Sequence, residues 1–265
     1  MDIDQANLAN LTGLWRKYGA QHLSPATQDN TAGIIANRQW PDRVWQSASM
    51  ANTRLDSSPL EKANELNQWL SLLPASELAS ATIPVWPFAI EGSSLYVTEF
   101  EQQLEKLGLQ CAFEQTAMYL PLQGVDTQAW ISRNGFSVEQ VQNSSQLSTW
   151  VSIASEAFGY DIDQQVVEKL IDDPSIQILL AVSAGEAVAT ALLYQDESVI
   201  GLHQIGVGKD FQGMGYARSM MHEMIRHCAN KPVDYLVLQA SQAGKPLYYS
   251  LGFKSQFAIR NYKKV

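Results

Sequence analysis

From Gly135 onward the chain switches between two spacings of apolar residues. Phe136 to Val141 alternates as a strand, and Gln146 to Phe158 carries Leu147, Trp150, Val151 and Ala154 at helical spacing. A loop, Gly159 to Asp163, leads to a second short helix over Val166 to Ile171. Ile176 to Val182 and Ala187 to Leu193 flank Ala184-Gly185-Glu186, a hairpin signal. Val199 to Val207 is an apolar strand. The helix that follows, Gly215 to Ala229, places Ala217, Met220, Met221, Met224 and Ile225 on one face. Tyr235 to Leu238 reads as a strand, Gly244 to Leu251 as a short helix and Phe253 to Tyr262 as a last strand. The predicted order is β-α-α-β-β-β-α-β-α-β, an α/β chain built on a mixed sheet.

The first half is less regular. A helix is predicted near Asn7 to Tyr18, then a polar stretch (Ser24 to Thr31) and a short strand (Gly33 to Ala36). Pro41 in NRQWPDRVW (Asn37 to Trp45) forces an extended or turn segment. Leu60 to Leu73 has helical spacing and stops before Pro74; Ile83 to Phe88 reads as a strand broken by prolines. Thr98 to Leu107 is a helix closed by Gly108, and Cys111 to Leu120 is a strand. All seven tryptophans fall between Trp15 and Trp150, a composition shift that suggests two units.

Chemistry concentrates in Ile205 to Met221. The strand ending at Val207 runs through Gln212-Gly213-Met214-Gly215-Tyr216-Ala217 into a helix. Small residues at 213, 215 and 217 let a ligand approach the main chain. The free N–H groups and dipole of the helix mouth favour a phosphate or pyrophosphate. Gly208 and Gly213 have the separation of a Walker loop, but Met214 stands where its lysine belongs. Gly213 and Gly215 begin a dinucleotide fingerprint, but Arg218 replaces its third glycine. A tight turn without a ligand is the remaining reading of these residues alone.

The pattern Q-x-x-G-x-A between strand and amphipathic helix resembles the acetyl-CoA pyrophosphate loop of the GNAT N-acetyltransferase superfamily. A second signature, ASQAGKPLYYSLGF (Ala240 to Phe253), is similar to that family's last helix with its Leu-Gly-Phe ending. The resemblance covers Gly135 to the end and implies the GNAT fold, with acetyl-CoA as co-substrate. Gln212 to Ala217 would hold the pyrophosphate, and Ile205, Gly206 and Val207 would pair with the pantetheine arm. Ser241 stands where many members carry Asn, which leaves that coenzyme contact less defined. Leu107-Gly108-Leu109 precedes a strand as Leu251-Gly252-Phe253 does, 144 positions earlier. Residues 1–124 are therefore read as a degenerate GNAT-like domain, in tandem with the GNAT domain of 135–265. The first half has no such loop, and no coenzyme site is assigned there.

Moving an acetyl group from a thioester to an amine requires a deprotonated amine, donors for the developing oxyanion and a proton for the departing sulfur. The resemblance implies that the Val207 N–H, or a neighbour, polarises the carbonyl. Tyr248 falls at the family's general-acid position, with Tyr249 beside it as the competing ring. His203, four residues before Val207, lies where many members place a glutamate base, and its ordinary pKa near ~6.5 suits that role; a structural histidine is the other reading. Asp161 and Asp163 lie in the loop that lines the family's acceptor site, where they would hold a cationic substrate unless the loop is simply a solvated acidic one or Asp161 caps the next helix. His222 and His227 in HEMIRH are five apart and diverge by about 140° around a helix, so no metal is assigned.

Composition narrows the setting. A net charge of −9 excludes a general nucleic-acid binder. No apolar run approaches the roughly 18–20 residues of a membrane span, and the acidic start MDIDQANLAN is unlike a leader peptide. Cys111 and Cys228 form no CxxC and suit a reducing compartment. The expectation is a soluble cytoplasmic N-acetyltransferase acting on a small-molecule or peptide amine, with no membrane partner; a homodimer is an open option. The competing class is a catalytically inactive acyl-CoA-binding or protein-interaction module.

Overall fold

The computed structural model describes residues 2–22, 34–46, 74–87, 94–128, 130–197 and 199–264. The first half runs α1 (Ile3–Lys17), β1 (Gln21–His22), β2 (Ile34–Ala36), β3 (Val44–Gln46), α2 (Ala75–Ser80), β4 (Ile83–Val85), α3 (Ser94–Lys106) and β5 (Leu109–Pro121). The second runs β6 (Phe136–Gln140), α4 (Ser144–Phe158), α5 (Gln164–Glu168), β7 (Ile176–Ser183), β8 (Glu186–Asp196) and β9 (Val199–Val207). It continues through a single 3-10 turn (Lys209–Phe211) to α6 (Tyr216–Ala229), β10 (Tyr235–Ser241), α7 (Lys245–Ser250) and β11 (Lys254–Lys264). The order predicted for the second half is the order observed. The helix expected over Leu60 to Leu73 and the polar stretch Ser24 to Thr31 lie outside the described residues. The strand expected over Ile83 to Phe88 ends at Val85 among the described residues.

The chain divides into two compact units, one of Met1–Tyr18 with Ala117–Gln256, the other of Gly19–Thr116 with Phe257–Val265. In the first, a mixed sheet runs β5-β10-β9-β8-β7-β6. The turn at Ala184 and Gly185, both at positive φ, joins β7 to β8 antiparallel, and β8 pairs antiparallel with β9. One sheet face is covered by Met220, Met221, Met224 and Ile225 of α6, which pack with Ala189, Ala191, Leu193, Ile200, Leu202, Leu236 and Leu238. Helix α4 packs on β8 and β9, where Trp150 is fully buried and donates its indole N–H to the Ala191 carbonyl at 3.1 Å.

Helix α1 buries Leu11, Leu14 and Trp15 and adds to them a polar stripe. Asp4, Asn7 and Asn10 recur every third position and form one stripe. Asn10 donates to the Tyr194 carbonyl (3.0 Å), Asn7 donates to the Met118 carbonyl (3.1 Å) and accepts from Gln239 (2.7 Å), and Asp4 accepts from Gln256 (2.6 Å). Asn7 and Asn10 are almost wholly buried, so each bond removes a desolvation cost of about 1–3 kcal/mol that an unpaired amide would carry.

The second unit holds an antiparallel three-stranded sheet, β1-β2-β3, and an antiparallel pairing of β4 with β11 (Arg260 opposite Val85, Tyr262 opposite Ile83). Its core gathers Ile34, Val44, Ile83, Val85, Phe100, Leu104, Leu109 and Tyr262. Pro41 follows a cis peptide bond in the turn before β3.

Gly201 is the tightest point beneath α1. A Cβ there would lie 1.9 Å from Asn10 Oδ1 and 2.2 Å from His203 Nε2. Gly201→Ala is expected to lower stability by about 1–3 kcal/mol through overpacking. Urea unfolding measures it, and an unchanged midpoint would refute the steric reading.

Candidate functional site

Strand β9 is paired on its two sides to different extents. Against β8 its register runs from Val199 to Val207; against β10 it is parallel and registered only at Val199–Tyr235, Ile200–Leu236 and Gly201–Val237. Beyond Gly201 the β10 side of β9 has no registered partner among the described residues. The pairing with β8 slips between Thr190 and Leu192, and the extra residue is Gln204 at φ 50, a β-bulge held by the Thr190 hydroxyl donating to the Gln204 carbonyl at 2.9 Å. Gly208 donates its N–H to the Val188 carbonyl at 3.0 Å, so by alternation Val207 turns its own N–H and C=O away from β8. Gln212 Nε2 donates to that carbonyl at 3.2 Å. The Val207 N–H therefore faces the gap. Ile205 and Val207 direct their side chains into the core, and Gly206 directs its Cα the other way, where a Cβ would lie 2.8 Å from Ala157 Cβ.

The loop after β9 is built for close approach. Gly213 and Gly215 have φ of 76 and 84, a region open chiefly to glycine. Gly215 is the N-cap of α6 and has no side chain to cap it. The Ser219 N–H bonds back to the Gly215 carbonyl at 3.1 Å, so the N–H groups of residues 216–218 precede the first helical bond and point out of the helix mouth. Tyr216 is buried rather than facing the mouth, with its hydroxyl donating to Ser183 Oγ at 3.2 Å; Met214 is 56 % exposed. Gln212 to Ala217 thus present backbone, not side chains, to a ligand.

The two candidate tyrosines separate cleanly. Tyr248 is 9 % exposed, packs edge-on against Phe253 (5.7 Å) and belongs to the core that Ile205 and Val207 border. Burial pushes its phenol up to about 12, so it stays protonated. Tyr249 is 51 % exposed and hydrogen-bonded with Ser255. Ser241 closes the turn into α7, its Oγ accepting from the Gly244 N–H at 3.2 Å. Asp163, not Asp161, caps α5, accepting from the N–H groups of Gln165 and Val166; Asp161 is exposed. His222 stacks on Trp130 at 4.3 Å and His227 contacts Gln177 at 2.9 Å, and no group of metal-ligating side chains occurs among the described residues.

His203 is placed in the interior. It is 8 % exposed under α1, and its Nε2 lies 3.0 Å from Asn10 Oδ1, a contact in which the ring must be the donor. Burial holds its pKa far below the usual range, at about 3. An imidazole that donates through Nε2 and resists protonation is a poor proton acceptor. This placement favours the structural reading of His203 over the base role.

Two residues at the site carry no sequence signal. Gln204 has a buried Oε1 without a hydrogen-bond partner among the described residues, beside the unpaired stretch of β9. Arg133, far upstream of the loop, lays its guanidinium 3.9 Å over the Tyr216 ring and donates to the Met214 carbonyl at 2.7 Å. Neither belongs to a periodic or motif-bearing pattern that would single it out.

Residues 134–263 match the family model of the acetyltransferase (GNAT) domain. No curated protein matches the sequence. Among solved structures, the chain is similar to a GCN5-related N-acetyltransferase from Kribbella flavida (14 % identity, 98 % of this chain and 94 % of that one, TM-score 0.69). It is also similar to a GCN5-related N-acetyltransferase from Sphaerobacter thermophilus (16 % identity, 95 % and 84 %, TM-score 0.60). A functionally unknown conserved protein from Staphylococcus epidermidis aligns at 13 % identity over 91 % and 94 %, with a TM-score of 0.57. At these identities the likeness is one of fold.

Burial of His203 has a pH signature. The unfolded chain takes up this proton near pH ~6.5 and the folded one only near about 3, so acid favours unfolding. The contribution is fully present above pH ~6.5 and is lost progressively below it. In His203→Gln, the dependence of unfolding free energy on pH between ~4 and ~6 should be shallower by up to about 1.4 kcal/mol per pH unit. Urea titrations across that range check it, and parallel curves for the two proteins would contradict the buried neutral imidazole.

Proposed function

We propose, on the premise that residues 134–263 of this chain are a GNAT acetyltransferase domain, that the protein transfers the acetyl group of acetyl-CoA directly to a primary amine. The observation that carries this reading is the parting of β9 from β10 after Gly201, immediately ahead of the uncapped, glycine-bearing entry to α6. An extended arm can add to the open backbone of Ile205 to Val207 as a strand would. Its phosphates then fall at the N–H groups and positive dipole end of α6.

Each chemical requirement has a supplier. The Val207 N–H, turned into the gap, donates to the thioester oxygen as the amine nitrogen bonds to the carbonyl carbon. The C–S bond breaks, and Tyr248 gives its phenolic proton to the sulfur. A phenol near 12 would be a weak donor to a thiol of ordinary pKa, about 8.5. Burial, however, also raises the Cys228 thiol in the same core to about 12, and a sulfur released against such a wall gains proton affinity in the same way. The nitrogen sheds its surplus proton to solvent, because His203 is committed to Asn10, and solvent returns a proton to the Tyr248 phenolate. Ser241 serves the α7 turn, and Asp161 remains the exposed acid available to a cationic acceptor.

Calorimetric titration of acetyl-CoA is expected to show one site per chain, lost in Gly215→Glu, which adds bulk and negative charge at the helix mouth. A folded wild type that binds no acetyl-CoA would overturn the reading. With an amine that releases thiol, Tyr248→Phe should slow turnover by roughly 10² while leaving acetyl-CoA affinity nearly unchanged. Undiminished turnover would remove Tyr248 from the mechanism.

A further inference from the structure

The segment before β6 is strapped along α6 at residues 130–133. Trp130 stacks on His222, its carbonyl accepts from Arg226, and Arg226 also donates to Ser132 Oγ at 3.1 Å. Ser132 in turn donates to Glu223 Oε1 at 3.2 Å. This anchoring delivers Arg133 to the mouth of α6. There Nη1 donates to the Met214 carbonyl and lies 3.9 Å from the position a Cβ on Gly215 would take. One of the five guanidinium donors is used, and no other hydrogen-bond partner for it occurs among the described residues.

The placement is electrostatically awkward on its own. The N-terminus of a helix is its positive end, which repels a cation and attracts an anion. The Tyr216 ring, 3.9 Å beneath the guanidinium, offsets part of that repulsion through its negative face. No carboxylate is paired with Arg133 among the described residues, although the chain as a whole carries a net charge of −9. The neighbouring cation, Arg218, is turned aside to Ser250 Oγ at 2.9 Å. A polyanion seated at the helix mouth would satisfy both the dipole and Arg133.

We propose that Arg133 is a coenzyme-binding residue that closes the phosphate cradle from outside the loop motif, its guanidinium pairing with the pyrophosphate while the backbone N–H groups of α6 hold the other side. The proposal rests on the acetyl-CoA reading above. It assigns to the strap a second task beyond covering α6: fixing the one cation that a backbone-only cradle lacks.

The test is titration of acetyl-CoA into wild type, Arg133→Lys, Arg133→Met and Arg133→Gln at low and high NaCl, with thermal unfolding of each free protein alongside. Met keeps a contact on Tyr216 without charge, and Gln keeps a donor for the Met214 carbonyl. Both are expected to bind about tenfold more weakly than wild type, with a flatter salt dependence, while Lys stays within about threefold. Free-state melting should be nearly unchanged, which separates charge from structural support. Wild-type affinity and salt dependence in Met or Gln would overturn the assignment, as would a Lys variant as weak as Met. No binding by wild type would overturn the acetyl-CoA reading itself and the assignment with it.

Discussion

The site depends on a strand that keeps one neighbour and gives up the other. β9 stays bonded to β8 as far as Val207, which holds its backbone rigid, while β10 leaves after Gly201. Full pairing on both sides would bury every N–H of β9 in the ladder and leave none for a ligand. Loss of both would leave the backbone without a fixed direction. The bulge at Gln204 sits within the unpaired stretch and resets which residues face which side. Past it, Gly206 faces α4 with no room for a side chain, and Val207 turns its amide to the gap. The geometry for polarising a carbonyl is thus a property of pairing, and no polar side chain is needed to create it.

Burial sets the protonation of the remaining candidates in one direction each. Desolvation penalises whichever form is charged, so it keeps Tyr248 and Cys228 protonated and His203 deprotonated. For a proton donor this is useful, since the donor stays loaded at neutral pH. For a base it is counterproductive, because the protonated product of its action would be a buried cation. The hydrogen bond from His203 to Asn10 fixes which neutral tautomer is present, with the proton on Nε2. In the proposed reaction, catalytic demand therefore rests on the main chain of β9 and on the Tyr248 hydroxyl.

Periodicity made most of the second half legible, because its long strands and helices bury apolar residues at regular spacing; β9 was expected over Val199 to Val207 and is found there. The glycines at 213 and 215 were legible for a local reason, their positive φ. What the sequence did not reveal is tertiary. The length of the β9–β10 pairing is fixed by how two distant segments diverge, not by the composition of either. The stripe Asp4, Asn7, Asn10 reads as a solvent-facing side of α1, yet its two asparagines are buried because Met118, Tyr194, Gln239 and His203 supply partners that no local pattern shows. Adjacent tyrosines on a short helix differ by about 100° in direction, so only packing could separate Tyr248 from Tyr249. The cap expected at Asp161 falls instead at Asp163, because α5 starts at Gln164.

Arg133 shows a further limit of motif reading, and also why such a residue is needed. A cradle made only of glycines and backbone N–H groups tolerates any anion of fitting size, since partial charges at a helix mouth carry little directional preference beyond the first turn. A guanidinium adds a planar, multi-donor partner suited to paired phosphate oxygens. The loop itself brings none: Gly213 and Gly215 must remain without side chains, Tyr216 is committed to the core and the exposed position 214 is a methionine. The charge has to arrive from elsewhere in the chain, and the strap of Trp130 and Ser132 on α6 is a short and well-anchored route by which it does. Selection of the ligand and stability of the strap are then coupled through Arg226, which holds both Trp130 and Ser132 from nearly three turns into α6.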